Sequence, residues 1–88
     1  MRKAWSDEAW NDYEYWQAQD RKTLQKINKL LRSIERDGER KGEGKPEPLK
    51  GELSGYCRRK IDGKNCLVYR VVDEGIEILA CRDHYEDK

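Results

Sequence analysis

The chain has 88 residues, 42% of them charged and 35% hydrophobic, with a formal net charge of +1. A chain this short forms one small domain (residues 1–88) and buries only about 60–65% of the surface its unfolded form exposes, which excludes a large core. No apolar run approaches a membrane span, and three cysteines with one histidine, lacking paired ligand spacing, argue against a structural zinc site.

The charge is unevenly spread. Residues 1–20 carry two basic and five acidic groups, residues 21–72 fifteen and seven, and residues 73–88 two and six. A basic middle between acidic ends suits a polyanion partner if the fold gathers the cations on one surface. An odd cysteine count with no signal peptide fits a reducing cytoplasm.

In chain order, residues 2–5 form an initial strand ending at Trp5. Ser6 is a helix N-cap, with Asp7 and Glu8 placing negative charge in the first turn. Trp10, Tyr13 and Trp16 recur at helical spacing, and core packing is the expected use of that stripe. Asp20 restarts a helix whose apolar face is Leu24, Ile27, Leu31 and Ile34, with Leu30 beside them. Arg21, Lys22, Lys26, Lys29, Arg32 and Arg36 lie on its flanks, as a solvated face or as a polyanion contact. Gly38 ends it, and residues 37–46 form a loop.

The second half predicts strands over Leu53–Ile61, Cys66–Val72 and Ile76–Arg82, joined by turns at Asp62-Gly63 and Asp73-Glu74-Gly75. The predicted architecture is α+β, with two N-terminal helices packed on one face of an antiparallel sheet. If Ile61 and Leu67 face the helices, alternation puts Lys60, Cys66, Val68 and Arg70 on the other face. The cysteines are expected as small buried residues, with a redox role for Cys57 and Cys66 only if the register sets them opposite one another.

One stretch carries a candidate site: Lys45-Pro46-Glu47-Pro48-Leu49-Lys50. A proline on either side of Glu47 restricts its backbone before any tertiary contact forms. Either Glu47 is a solvated acid in a rigid connector, or the restraint serves a carboxylate with a task. The sole histidine, His84, follows the last predicted strand. RNA cleavage by the 2′-hydroxyl needs a base, cations for the developing phosphorane and an acid for the departing 5′-oxygen. A glutamate, a basic strand and one histidine supply those three jobs without a metal.

These segments carry a family resemblance. Trp5-Ser6, Trp10, Asp12-Tyr13, Tyr15-Trp16-Gln17, Lys26-Ile27-Asn28, Gly44-Lys45-Pro46-Glu47-Pro48-Leu49-Lys50, Leu53-Ser54-Gly55, Arg58-Arg59, Leu67-Val68-Tyr69 and His84-Tyr85 resemble the Txe/YoeB family of toxins from bacterial type II toxin–antitoxin systems, within the RelE/ParE-like superfamily. The likeness runs from Trp5 to Tyr85. It implies a YoeB-like, microbial-ribonuclease-like fold. It also implies a metal-independent, cofactor-free mRNA endoribonuclease that cuts mRNA in the ribosomal A site and inhibits translation. The implied partners are a YefM-like antitoxin, the bacterial ribosome with its mRNA, a second copy in a homodimer, and operator DNA only as the toxin–antitoxin complex. It implies Glu47 as general base and His84 as general acid, with Lys50, Arg59, Lys60 and Tyr85 binding RNA or phosphate.

The sequence departs from that pattern where the family's Trp-Ser-Arg-Arg-Ile is replaced by Cys57-Arg58-Arg59-Lys60-Ile61. The arginine expected before Leu-Val-Tyr, which supports the scissile phosphate, is Cys66. Loss of one preorganised transition-state donor lowers rate by ~10²–10³, and Lys60 on the same face would substitute only as a point charge. The acids Glu86 and Asp87 would oppose phosphate binding unless they fold away. The alternative reading is therefore an attenuated or inactive module that keeps antitoxin binding and operon autorepression. A ParE-like gyrase poison shares the superfamily fold but fits the Pro-Glu-Pro and His-Tyr elements poorly.

Overall fold

The computed structural model describes residues 1–83. Its elements are β1 (Arg2–Trp5), α1 (Asp7–Gln19), α2 (Arg21–Asp37), β2 (Glu47–Pro48), a 3-10 turn (Gly51–Leu53), β3 (Cys57–Lys60), β4 (Cys66–Val72) and β5 (Gly75–Ala80).

Local chemistry sets both helix starts. The Ser6 hydroxyl accepts the Ala9 N–H at 3.0 Å and donates to the Leu79 carbonyl at 2.7 Å, so one side chain caps α1 and ties it to the sheet. Asp20 ends α1 and starts α2 in one extended residue (φ −155°). Its carboxylate accepts from the Lys22 and Thr23 N–H groups and the Thr23 hydroxyl, which pulls its pKa below the usual carboxylate range. A single-residue break forces the two helices into a hairpin, and the Tyr13 hydroxyl donates across it to Asn28 at 2.8 Å. Gly38 closes α2 with φ 102°, in the left-handed region.

The strands form one mixed sheet in the order β1-β5-β4-β3-β2. The expected helix-on-sheet α+β architecture is present, with additions. β1 pairs in parallel with β5, and β2 adds an antiparallel edge beside β3. The strand expected over Leu53–Ile61 is shorter, because Gly51–Leu53 takes a 3-10 turn and only Cys57–Lys60 pairs. The last strand ends at Ala80, two residues earlier than expected.

Ile27, Leu30, Leu31 and Ile34 of α2 and Ala9 and Trp16 of α1 pack on Cys57, Ile61, Leu67, Tyr69, Ile76 and Ile78. The aromatic stripe divides. Trp16 is buried and its indole N–H donates to the Cys81 carbonyl, whereas Trp10 is 45% exposed. Trp10 stacks on Tyr13 beside Trp5 at the rim. A second, smaller cluster lies on the outer face, where Leu49 buries against Val68 and Ala80 with Leu53, Tyr56 and Leu79 alongside. The pairing of Val68 with Ala80 and of Tyr69 with Ile78 leaves Leu79 as an extra residue in β5, a bulge that turns it outward. Cys57 stands opposite Tyr69 and Cys66 opposite Lys60, so the two thiols face different sides of the sheet and the redox pairing does not arise.

Candidate functional site

The register of β2, β3 and β4 builds the outer face from the backbone up. Glu47 stands opposite Arg58, Arg58 opposite Val68, and Lys60 opposite Cys66. Residues directly opposite share a face, and alternation along β3 puts Arg58 and Lys60 on one side. Glu47 lies at the sheet edge with its side chain 55% exposed, and its Oε2 is 3.1 Å from Nη2 of Arg58, whose side chain is 18% exposed. The proline-flanked acid is therefore half of an ion pair held by strand pairing. Arg58 had been singled out by the resemblance only as part of a motif; period-two alternation from Ile61 was the signal for it.

The same alternation corrects the expectation for Arg59. It was expected to bind phosphate, but it points into the helix-facing core and is fully buried. Its guanidinium donates to the Tyr69 hydroxyl (2.8 Å), the Ser33 hydroxyl (2.9 Å) and the carbonyls of Gly38 (2.8 Å), Lys41 (2.6 Å) and Glu43 (2.9 Å). A buried guanidinium needs such saturation. The result is a strut that folds loop 38–44 against the sheet. The Lys60 N–H then donates to the Gly44 carbonyl at 2.7 Å, so the loop is fixed three residues before Glu47. Gly44 lies at φ 86°, and a Cβ there would meet Leu30 Cδ2 at 2.8 Å. Glu39 completes the loop's attachment, its carboxylate accepting the Val71 N–H at 2.7 Å where β4 extends past β3.

Of the other expected site residues, Lys60 is exposed at the end of β3 and Lys50 is exposed just after β2. Cys66, at the expected arginine position, is fully buried on the outer side of β4. His84 and Tyr85 lie outside the described residues. The chain leading to them is tied at two points. Cys81 donates its N–H to Asp12 Oδ2 at 3.0 Å, and burial raises the pKa of that carboxyl despite the hydrogen bond. Asp83 accepts the Cys66 N–H at 2.8 Å and donates its own N–H to Asn65 Oδ1 at 2.8 Å. Asp83 therefore sits at the start of β4, beside the Lys60–Cys66 pair. Among the described residues no group of three His, Cys, Asp or Glu side chains could hold a metal, and no helix is long and apolar enough to cross a membrane.

Fold and site together define a class: a small helix-on-sheet domain whose outer sheet face presents a clamped acid among cations. Comparison with known proteins supplies the family. The model of the YoeB-like toxin of bacterial type II toxin-antitoxin system matches residues 5–85. Toxin YoeB of Escherichia coli (strain K12) is 47% identical over 85 residues, which are 97% of this chain and 100% of that protein. Among solved structures, the YoeB-YefM complex from Staphylococcus aureus matches with TM-score 0.92 at 45% identity, covering 97% of this chain and 98% of that one. The YoeB dimer from Staphylococcus aureus matches with TM-score 0.91 at 46% identity and the same coverage. This chain belongs to the YoeB-like toxin family of bacterial type II toxin–antitoxin systems.

Proposed function

We propose that this chain is a cytoplasmic, ribosome-dependent mRNA endoribonuclease that cuts the codon in the vacant A site and halts translation. The observation that carries the reading is the Glu47 carboxylate presented at the sheet edge 3.1 Å from Arg58, with Lys60 on the same face. In this scheme Glu47 takes the 2′-hydroxyl proton and the 2′-oxygen attacks the adjacent phosphorus. The bond from phosphorus to the 5′-oxygen breaks, His84 protonates that oxygen, and a 2′,3′-cyclic phosphate remains. Lys50 and Lys60 neutralise phosphate charge and Tyr85 positions the RNA. Acid, base and cations are all side chains, so the scheme needs no metal ion. The position of Asp83 supports the role given to His84, because the residue before it is hydrogen-bonded to Cys66, whose partner across β3 and β4 is Lys60.

The solved Staphylococcus aureus relatives, one a complex with YefM and one a dimer, support a YefM-like antitoxin and a homodimer for this chain. Operator DNA is bound only as the toxin–antitoxin complex. A second reading, an attenuated or inactive module that keeps antitoxin binding, is favoured by Cys66, since a buried thiol supplies no fixed cation.

Cleavage of mRNA on programmed ribosomes by the unaltered chain, Glu47→Ala and His84→Ala tests the assignment. Loss in both variants is expected. Cleavage that survives both unchanged removes the roles assigned here, and an inactive parent chain that still binds antitoxin selects the second reading.

A further inference from the structure

We infer that Arg58 is a catalytic residue of this chain, the cation that contacts the scissile phosphate and carries the charge that Cys66 cannot. The inference rests on the ribonuclease reading above and names a member of that same site. In a near-attack arrangement the 2′-oxygen and the phosphorus are ~3–3.5 Å apart. A base on the 2′-hydroxyl and a cation on the phosphate oxygens must therefore be neighbours. Glu47 and Arg58 meet that requirement, standing directly opposite in the β2–β3 register with Oε2 and Nη2 3.1 Å apart. A guanidinium is a planar fork of N–H donors that matches phosphate bidentately.

Lys60 is placed differently. It is two residues along β3 from Arg58 on the same face, about 6.5–7 Å away along the strand, and the residue facing it is Cys66. That spacing suits a neighbouring phosphate held by a point charge. The side chain of Arg58 is also less exposed than that of its partner acid, 18% against 55%.

The experiment measures single-turnover mRNA cleavage on programmed ribosomes by the full chain and by Arg58→Ser, Arg58→Lys, Glu47→Ala, Cys66→Arg and the double variant Arg58→Ser/Cys66→Arg, with a thermal melt of each. Arg58→Ser is expected to lower the cleavage rate ~10²–10³-fold, with a melting shift under about 8 °C as for a partly exposed ion pair. Arg58→Lys recovers only part of the rate because it lacks the fork. Adding Cys66→Arg in the Arg58→Ser background restores at least about tenfold, and more than the same change gives in the parent chain, because an arginine on the next strand takes over the phosphate. A merely structural arginine would not be rescued from another strand. Full cleavage by a folded Arg58→Ser, while Glu47→Ala is inactive, overturns this inference and leaves the ribonuclease reading standing. A parent chain that does not cleave, indistinguishable from Glu47→Ala, overturns both. If the double variant does not fold, the comparison of Arg58→Ser with Arg58→Lys decides: partial recovery by lysine supports the cation on the phosphate, and equal rates in the two overturn it.

Discussion

The Nε–H of Arg59 donates to the phenolic oxygen of Tyr69 at 2.8 Å, and both side chains are fully buried. Tyr69 passes the contact on, its hydroxyl donating to the Glu39 carbonyl. One β3–β4 pair therefore holds a loop that neither helix propensity nor strand pairing would order.

Replacing Arg59 by alanine strands the carbonyls of Gly38, Lys41 and Glu43, which it satisfies in the native fold. The expected loss is ~3–5 kcal/mol, the range for breaking a buried charged network. Tyr69→Phe removes a smaller share, ~1–3 kcal/mol. Urea unfolding of both variants, fitted for midpoint and slope, gives these values.

Glu47 should behave in the opposite manner. Its pair with Arg58 is more than half exposed on the acid side, so Glu47→Ala changes stability by no more than about 1 kcal/mol. Loss of a general base lowers cleavage by ~10²–10⁴. Denaturation and ribosome cleavage assays on the same preparation separate the two effects. A variant that is both unstable and inactive would make Glu47 a structural residue.

Alkaline pH should weaken the fold through two buried acids. Burial pushes the Tyr69 phenol up to about 12 from 10.0, and the Cys81 thiol up to about 12 from 9.0. Both native pKa values are raised, so the contribution is complete below the unfolded values and is lost as pH rises through the folded ones. Between pH 9 and 12 the unfolded chain holds fewer protons, and stability falls with pH. Urea midpoints measured across that window should drop, and Tyr69→Phe should flatten the part above pH 10. The raised Cys57 and Cys81 thiols, both buried, should also resist alkylation by iodoacetamide at pH 8 until the chain unfolds.

Gly44→Ala tests the loop that delivers Glu47. The added Cβ would lie 2.8 Å from Leu30 Cδ2 and 3.0 Å from Arg59 Cβ, at φ 86°. Strain of ~1–3 kcal/mol together with core displacement is expected. Because the Gly44 carbonyl accepts the Lys60 N–H, cleavage should fall further than stability alone explains. Assays at 15 °C, where the variant remains folded, isolate that part.

What could be read along the chain was local. Ser6 and Asp20 cap as their chemistry dictates, α2 buries the apolar face spaced along its sequence, and the Asp62-Gly63 and Asp73-Glu74 turns separate the strands. Side chains three or four residues apart interact regardless of the rest of the molecule. The placement of Lys60 beside Cys66 on the outer face was also legible, since alternation in a strand is a local rule. That rule also assigns Arg59 to the core, but a charged residue inside contradicts average burial preferences and only its carbonyl partners justify it.

The tertiary structure alone decided the rest. The parallel seat of β1 on β5 and the bulge at Leu79 join positions more than seventy residues apart in the first case and depend on twist in the second. Trp10 and Trp16 share one sequence spacing, yet only Trp16 finds a neighbour deep enough to bury it. The Glu47–Arg58 pair exists because a two-residue strand, set by a loop wrapped on Arg59, docks in one register and no other. Proline spacing stiffens that acid in advance, but its partner is chosen by hydrogen bonds between strands eleven residues apart, and such pairing follows the whole fold rather than any local preference.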